Sequence, residues 1–347
     1  MQLGVNLGYQ TRWSSPADHL TVTRQADQLG YAVVWAAEAY GSDSPSMLAW
    51  LAGQTTRIDL GSAVMQIPAR TPAATAMTAA TIDAVSGGRF RLGLGVSGPQ
   101  VSEGWHGVRF SSPLGRTREY VEIVRMALAR QRVAYPGRHY RLPLPDGPGK
   151  ALKLGFHPPR DRVPIYLAAI GPRNLRLAGE IADGWLGIFV APEYVGEQLA
   201  AIAEGRGGSL AGFDAVASVP AVIGDDLEAC ADLVRWYAAL YVGGMGSREQ
   251  NFYHQLAVRM GYGQAAAIVQ EHYLAGRHRD AAAAVPFEFI DQTSLLGPPE
   301  RIADRLRAYA DAGVTNLSVA LLTGDAEVGV ATLRAVVEAA ERAGVGD

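Results

Sequence analysis

What most restricts the fold of this chain is a recurrence: eight short runs of β-strand character, each followed sooner or later by a helical pattern. The runs are QLGVNLGY (2–9), AVVWAAEAY (32–40), IDLGSAVMQI (58–67), FRLGLGV (90–96), PIYLAAIG (164–171), DGWLGIFV (183–190), FDAVASVPAVIG (213–224) and VTNLSVALL (314–322). Apolar residues at helical spacing fill 15–31, 44–57, 71–88, 116–131, 172–182, 192–205, 298–313 and 326–343. Ser-Pro and Thr-Pro openings mark several of these starts, and glycine marks several ends. Parallel strands need a long crossover to become neighbours, and a helix supplies one. Eight such units predict a (β/α)8 TIM barrel.

The 347 residues suit one barrel domain spanning 1–347, with a Pro/Gly-rich surface excursion near 133–163 and an Ala-rich helical insertion near 227–290. A net charge of −3 gives no electrostatic footprint for nucleic acid or an anionic membrane surface. No run approaches the ~20 apolar residues of a membrane helix. Cys230 stands alone, which rules out an intramolecular disulfide and a cysteine-rich metal site and fits a cytoplasmic protein. His272 and His278 lie six apart and no His-Glu-x-x-His run occurs, so no metal is expected.

Gly93-x-Gly95-x-x-Gly98 matches the glycine fingerprint of a dinucleotide-binding turn. That turn belongs after the first strand of an open sheet, with a helix starting at once on the third glycine. Here the glycines follow the fourth run, Pro99 succeeds Gly98, and helical patterning is expected only from about Arg116. A nicotinamide site is therefore set aside. In a barrel the strand ends on one face build the site. Small residues at Gly95, Val96, Ser97 and Gly98 would let backbone amides approach anionic oxygens. The helix start at Ala169, Ile170, Gly171, Pro172 and Arg173 would present free amides and its positive dipole end to the same rim. The alternative is that both are ordinary βα turns.

Three stretches, ARTPAATAMTAATIDAVSGGRFRLGLGVSGPQVSEGWHG, AAIGPRNLRLAGEIADGW and LLGPPERIADRLRAYADAGVTNL, resemble the luciferase-like oxidoreductases, and more narrowly their coenzyme F420-dependent branch. The resemblance implies a barrel with insertions, usually dimeric, acting on a small-molecule substrate with the deazaflavin F420 across its rim. It places a bulge with a non-prolyl cis peptide at Ala63-Val64, beside Met65, and an acidic residue near the ring at Glu38. It departs from the sugar-phosphate dehydrogenases of that branch, which carry a catalytic histidine and an acid where this chain has Ala39 and Val96. An FMN-dependent monooxygenase served by a partner reductase, and a non-catalytic flavin-binding relative, are the alternatives.

Glu38 is expected either to serve the ring as a hydrogen-bond partner or acid/base, or to sit at the rim paired with an arginine. His106 is a candidate for substrate contact, against a surface role. Tyr9, Tyr40 and Trp105 are candidate pocket walls, against simple core positions. The glycines and Arg248 in 241–255 would close over the cofactor or form a packed helix junction.

Overall fold

Side-chain caps and prolines fix where the barrel helices begin. A computed structural model describes residues 1–8, 15–160 and 162–346 of the chain. Ser15 accepts the amide of Asp18 at 3.2 Å while Asp18 accepts the amide of Ser15 at 2.8 Å, a reciprocal cap that starts α1 (Pro16–Leu29). Asp43 caps α2 (Ser44–Ala52) and Thr71 caps α3 (Pro72–Val85), each with proline in the first turn. The later barrel helices are α4 (Pro113–Leu128), α5 (Pro172–Ile181), α6 (Pro192–Gly205), α7 (Pro299–Asp311) and α8 (Ala326–Ala343).

These helices alternate with β1 (Gln2–Asn6), β2 (Val33–Ala36), β3 (Asp59–Ser62), β4 (Phe90–Gly95), β5 (Ile165–Ala168), β6 (Gly184–Ile188), β7 (Asp214–Ile223) and β8 (Asn316–Ala320). Each strand pairs in parallel with the next in chain order. The last returns to the first, with Gln2 opposite Asn316 and Asn6 opposite Ala320. The expected (β/α)8 barrel is thus closed. Inside it Trp35 and Tyr166 meet edge to face at 5.3 Å, Trp35 filling the space that Gly61 leaves by lacking a Cβ and Tyr166 that of Gly184. At the base Arg91 bridges Asp59 at 2.8 Å and Asp214 at 3.2 Å.

Two expectations about helix starts are corrected. A short helix, Pro99–Gly104, begins immediately after Gly98, and α4 starts at Pro113, three residues before Arg116. Six residues are too few to show a 3.6-residue period, and proline at a first helical position opens a helix instead of blocking one. The glycine turn still lies after the fourth strand of a closed barrel, not after the first of an open sheet.

The excursion after α4 carries a two-residue hairpin, Tyr135–Pro136 with Arg141–Leu142. Glu119 of α4 pins it by accepting the amides of Arg138, His139 and Tyr140 at 2.8–2.9 Å. The insertion after β7 holds helices Leu227–Ala239, Phe252–Ala257, Gly263–Leu274, His278–Ala283 and Phe287–Gln292. They bury a cluster of their own around Phe189, separate from the layer between strands and barrel helices. No helix among the described residues is long and apolar enough to cross a membrane.

The glycines of the β4 fingerprint have a packing role. Ladder pairing between β3 and β4 runs through Gly61 opposite Arg91 and resumes at Met65 opposite Leu94. Residues 62–64 therefore face only Leu92 and Gly93, which makes a bulge. A Cβ at Gly93 would lie 1.8 Å from the Ser62 carbonyl oxygen, and one at Gly95 would lie 2.5 Å from Val64 Cγ2. Gly93→Ala is expected to cost about 1–3 kcal/mol or more through overpacking against backbone. Gly98→Ala, whose Cβ would meet nothing nearer than Gln100 at 3.8 Å, should leave the urea midpoint unchanged. Equal midpoints for the two variants would refute this account.

Candidate functional site

The bulge ends in a cavity of about 2060 Å³ at the C-terminal mouth of the barrel. Ser62 Oγ donates to the Gly93 carbonyl at 2.8 Å and accepts its amide at 2.9 Å, so the bulge is tied to β4 at its root. The Ala63-Val64 peptide is cis, at the position the resemblance implied. Ala63, Val64 and Gln66 line the cavity, whereas Met65 points away and is buried.

Glu38 also lines the cavity, with its side chain only 8% exposed. It accepts the amides of Gln66 at 3.1 Å and Ser44 at 3.2 Å, and Arg70 grips both of its oxygens, with Nη2 at 3.1 Å from Oε2. Of the two readings of Glu38, the carboxylate paired with an arginine is the one the structure displays. Burial opposes the charge on Arg70, but Glu38 and Asp43 together hold its guanidinium above the usual range. Gln66 Nε2 donates to the Glu38 carbonyl at 2.9 Å, leaving Oε1 for His106 Nε2 at 3.1 Å. His106 accordingly donates from Nε2, and it supports Gln66 from outside the cavity lining.

Two backbone segments face the hollow from β4 and β5. Gly95, Val96, Ser97 and Gly98 line it, with Ser97 held at φ +61°. Ile170, Gly171, Pro172 and Arg173 line it as well, while Ala169 lies buried beneath them. Gly171 starts α5 without a side-chain cap, and a Cβ built on it meets no atom within 4 Å. Pro172 has no N–H and the Asn174 amide donates to the Gly171 carbonyl at 2.9 Å, so the amides of Gly171 and Arg173 are the ones left, among the described residues, to meet an anion. Arg259, from the insertion, donates to the Ile170 carbonyl at 3.3 Å and adds a cation beside Arg173.

The floor of the hollow is the barrel interior. Asn6 holds the Gly8 amide at 2.8 Å and donates to Ser218 Oγ at 3.0 Å. Trp35 Nε1, Ser318 Oγ and both polar side-chain atoms of Asn316 are buried there without a partner among the described residues. His19 also lines the hollow, and burial pushes its imidazole below the ordinary range, favouring the neutral form.

The sequence candidates divide accordingly. Tyr40 reaches the cavity mouth and is 55% exposed. Trp105 does not reach it: its side chain is 66% exposed and outside the lining, because the short helix from Pro99 turns it to solvent. Tyr9 lies outside the described residues. Arg248 does not line the cavity, although Tyr241, Met245, Phe252 and Tyr253 of the same segment do. Sequence reasoning missed Asn6, Gln66, Arg70, Arg259 and Trp236. Asn6 and Gln66 were findable as polar residues at strand ends; Arg259 and Trp236 carry no local signal, since only the packing of the insertion brings them in.

The chain resembles known proteins along most of its length. The sequence profile described as luciferase-like monooxygenase matches residues 1–316. A putative coenzyme F420-dependent oxidoreductase of Mycobacterium tuberculosis is 44% identical over 331 residues, covering 92% of this chain and 94% of that protein. The 5,10-methylenetetrahydromethanopterin reductase of Archaeoglobus fulgidus is 31% identical over 298 residues, covering 84% and 86%. In structure, the coenzyme F420-dependent tetrahydromethanopterin reductase of Methanopyrus kandleri superimposes with a TM-score of 0.81 at 23% identity over 98% of both chains. Profile, identity and barrel agree, and the chain belongs to the luciferase-like monooxygenase family.

Proposed function

We propose that this protein is a coenzyme F420-dependent oxidoreductase that moves a hydride between the deazaflavin and a small organic substrate. The observation that carries the reading is the convergence of three elements on one hollow: the bulge at Ala63 and Val64, the loop Gly95–Gly98, and the uncapped start of α5. Relatives described as F420-dependent, at 44% and lower identity, supply the choice of cofactor.

When bound, the deazaflavin supplies a ring carbon that donates or accepts hydride. The chain's own residues do the rest. Ala63 and Val64 offer a flat apolar shelf for a ring, and the 95–98 and 171–173 backbone holds anionic oxygens. Arg173 and Arg259 add charge to that end, and Tyr40 covers the mouth. Glu38 positions the shelf by fixing the Gln66 amide, and His106 holds the Gln66 side chain; neither handles the transferred proton. A buried thiol at Cys230 fits the cytoplasm, and the exposed Met77 and Val85 on α3 offer an apolar face for a second copy.

Titration with F420 should saturate, and should weaken by about three- to tenfold in Arg259→Ala, with the loss shrinking at high salt. Oxygen-dependent turnover with reduced FMN and no F420 binding would overturn the choice of cofactor. General acid/base groups contribute roughly 10²–10⁴ in rate, so Glu38→Gln should keep kcat within about tenfold while raising the Kd for F420. A larger fall in kcat at unchanged Kd would make Glu38 the proton carrier. Arg70→Ala, which strips a buried carboxylate of its partner, should cost about 2 kcal/mol or more of stability in urea. Light scattering should give a mass near twice 36.8 kDa if the α3 face pairs.

A further inference from the structure

We propose that the excursion after α4 is a docking surface for an anionic phospholipid membrane, which holds the protein at the bilayer with its cavity mouth free. The inference is independent of the cofactor reading. Residues 130–162 hold eight Lys and Arg against two Asp, a net +6 in a chain whose total is −3, so the remaining residues carry −9. Lysine occurs only twice in the chain, at Lys150 and Lys153, both in this segment. The charge of the whole chain thus conceals a strongly basic segment on an acidic body.

The structure decides which of those charges are free. Arg160 is held by Asp83 and Arg162 by Asp183. Arg132, Arg138, Arg141, Lys150 and Lys153 are exposed, and none makes an ion pair with a described residue. The α4 carboxylates that face the excursion are engaged, Glu119 by three backbone amides and Glu122 by the Tyr135 hydroxyl. Backbone pairing gathers the free cations. The Val133 amide donates to the Leu152 carbonyl at 2.8 Å and Arg132 Nη1 to that of Ala151 at 3.4 Å, which sets Arg132 beside Lys150 and Lys153.

Apolar side chains stand among these cations. Every residue from Pro143 to Lys150 is exposed, so the stretch projects from the body. Leu144, at 69%, is the most exposed large apolar side chain among the described residues, and Leu152 follows at 66%, level with Trp105. A Cβ at Gly149 would lie 3.7 Å from Pro143, so the loop folds back and brings Lys150 near Leu144. Three prolines, at 143, 145 and 148, restrict the loop and reduce the entropy lost on docking. Leucines standing singly among cations suit a lipid interface, where the cations meet phosphate headgroups and the leucines reach the acyl boundary. A nucleic acid would use the cations alone, and residues 143–153 contain no aromatic ring for a base to stack on. The excursion is rooted between the end of α4 and the start of β5, on the barrel face opposite the cavity mouth.

The test floats the full chain with vesicles of phosphatidylcholine alone and of phosphatidylcholine mixed equally with phosphatidylglycerol. Binding is expected only to the anionic vesicles, at about 0.01 M salt and not at about 1 M, where the Debye length falls from ~30 Å to ~3 Å. Each basic residue beside an anionic surface is worth about fivefold, so Lys150→Glu with Lys153→Glu should weaken binding by at least about tenfold. Leu144→Ser should weaken it by about three- to fivefold. Arg279→Glu with Arg307→Glu makes the same change in net charge on exposed helix positions elsewhere and should move it by less than about threefold. All these side chains are exposed, so the variants test the surface and not folding. Equal binding to neutral vesicles, no binding at low salt, or equal losses in the two charge-reversed pairs would overturn the proposal. So would retention of a DNA duplex tighter than that of the vesicles and unmoved by Leu144→Ser, which would make this a nucleic-acid surface. A halved mass in solution on Lys150→Glu with Lys153→Glu would overturn it as well, by making the excursion a contact between two copies.

Discussion

The site depends on how closely β3 and β4 approach each other. Gly93 brings its Cα against the Ser62 carbonyl, at a distance where a Cβ would sit 1.8 Å from that oxygen. This contact, with the paired bonds of Ser62 Oγ to the Gly93 backbone, fixes the root of the bulge, and the bulge in turn presents Ala63 and Val64 to the cavity. A side chain at 93 would push the strands apart and move the shelf on which a planar cofactor would rest. The same glycines that suggest a phosphate turn thus act first as spacers, and only Gly98 stands open to the hollow.

Around that shelf, polar groups are assigned to different tasks by burial. Glu38 and Arg70 neutralise each other at the cavity wall and hold the bulge through Gln66. The Gly171 and Arg173 amides at the start of α5 and the cations Arg173 and Arg259 line the same cavity as the aromatic residues of the insertion, and Ile170 packs on that aromatic cluster. One cavity therefore combines anion-seeking backbone and side chains with apolar walls.

Much of this was legible in the chain. The helix of the last unit spans 326–343 in the sequence pattern and Ala326–Ala343 in the structure, because eighteen residues give the 3.6 period time to show. The helix Pro99–Gly104 was not legible, since six residues carry less than two turns of pattern. Its presence turns Trp105 to solvent and leaves His106 as a prop for Gln66, which is why neighbours in sequence took roles other than those expected. Glu38 was recognisable as important by position, but its partner, 32 residues away, was not.

Sequence alone determined the (β/α)8 order, the span of the last helix, and two backbone segments that line the cavity, because each is written in local spacing and in residues without bulk. Tertiary structure decided which carboxylate is neutralised, which aromatic residues share a chamber and which arginine reaches α5. The last two outcomes depend on the insertion packing at the barrel mouth, the first on the approach of the loops after β2 and β3, and contacts between residues tens of positions apart are set by packing and burial, which no local pattern encodes.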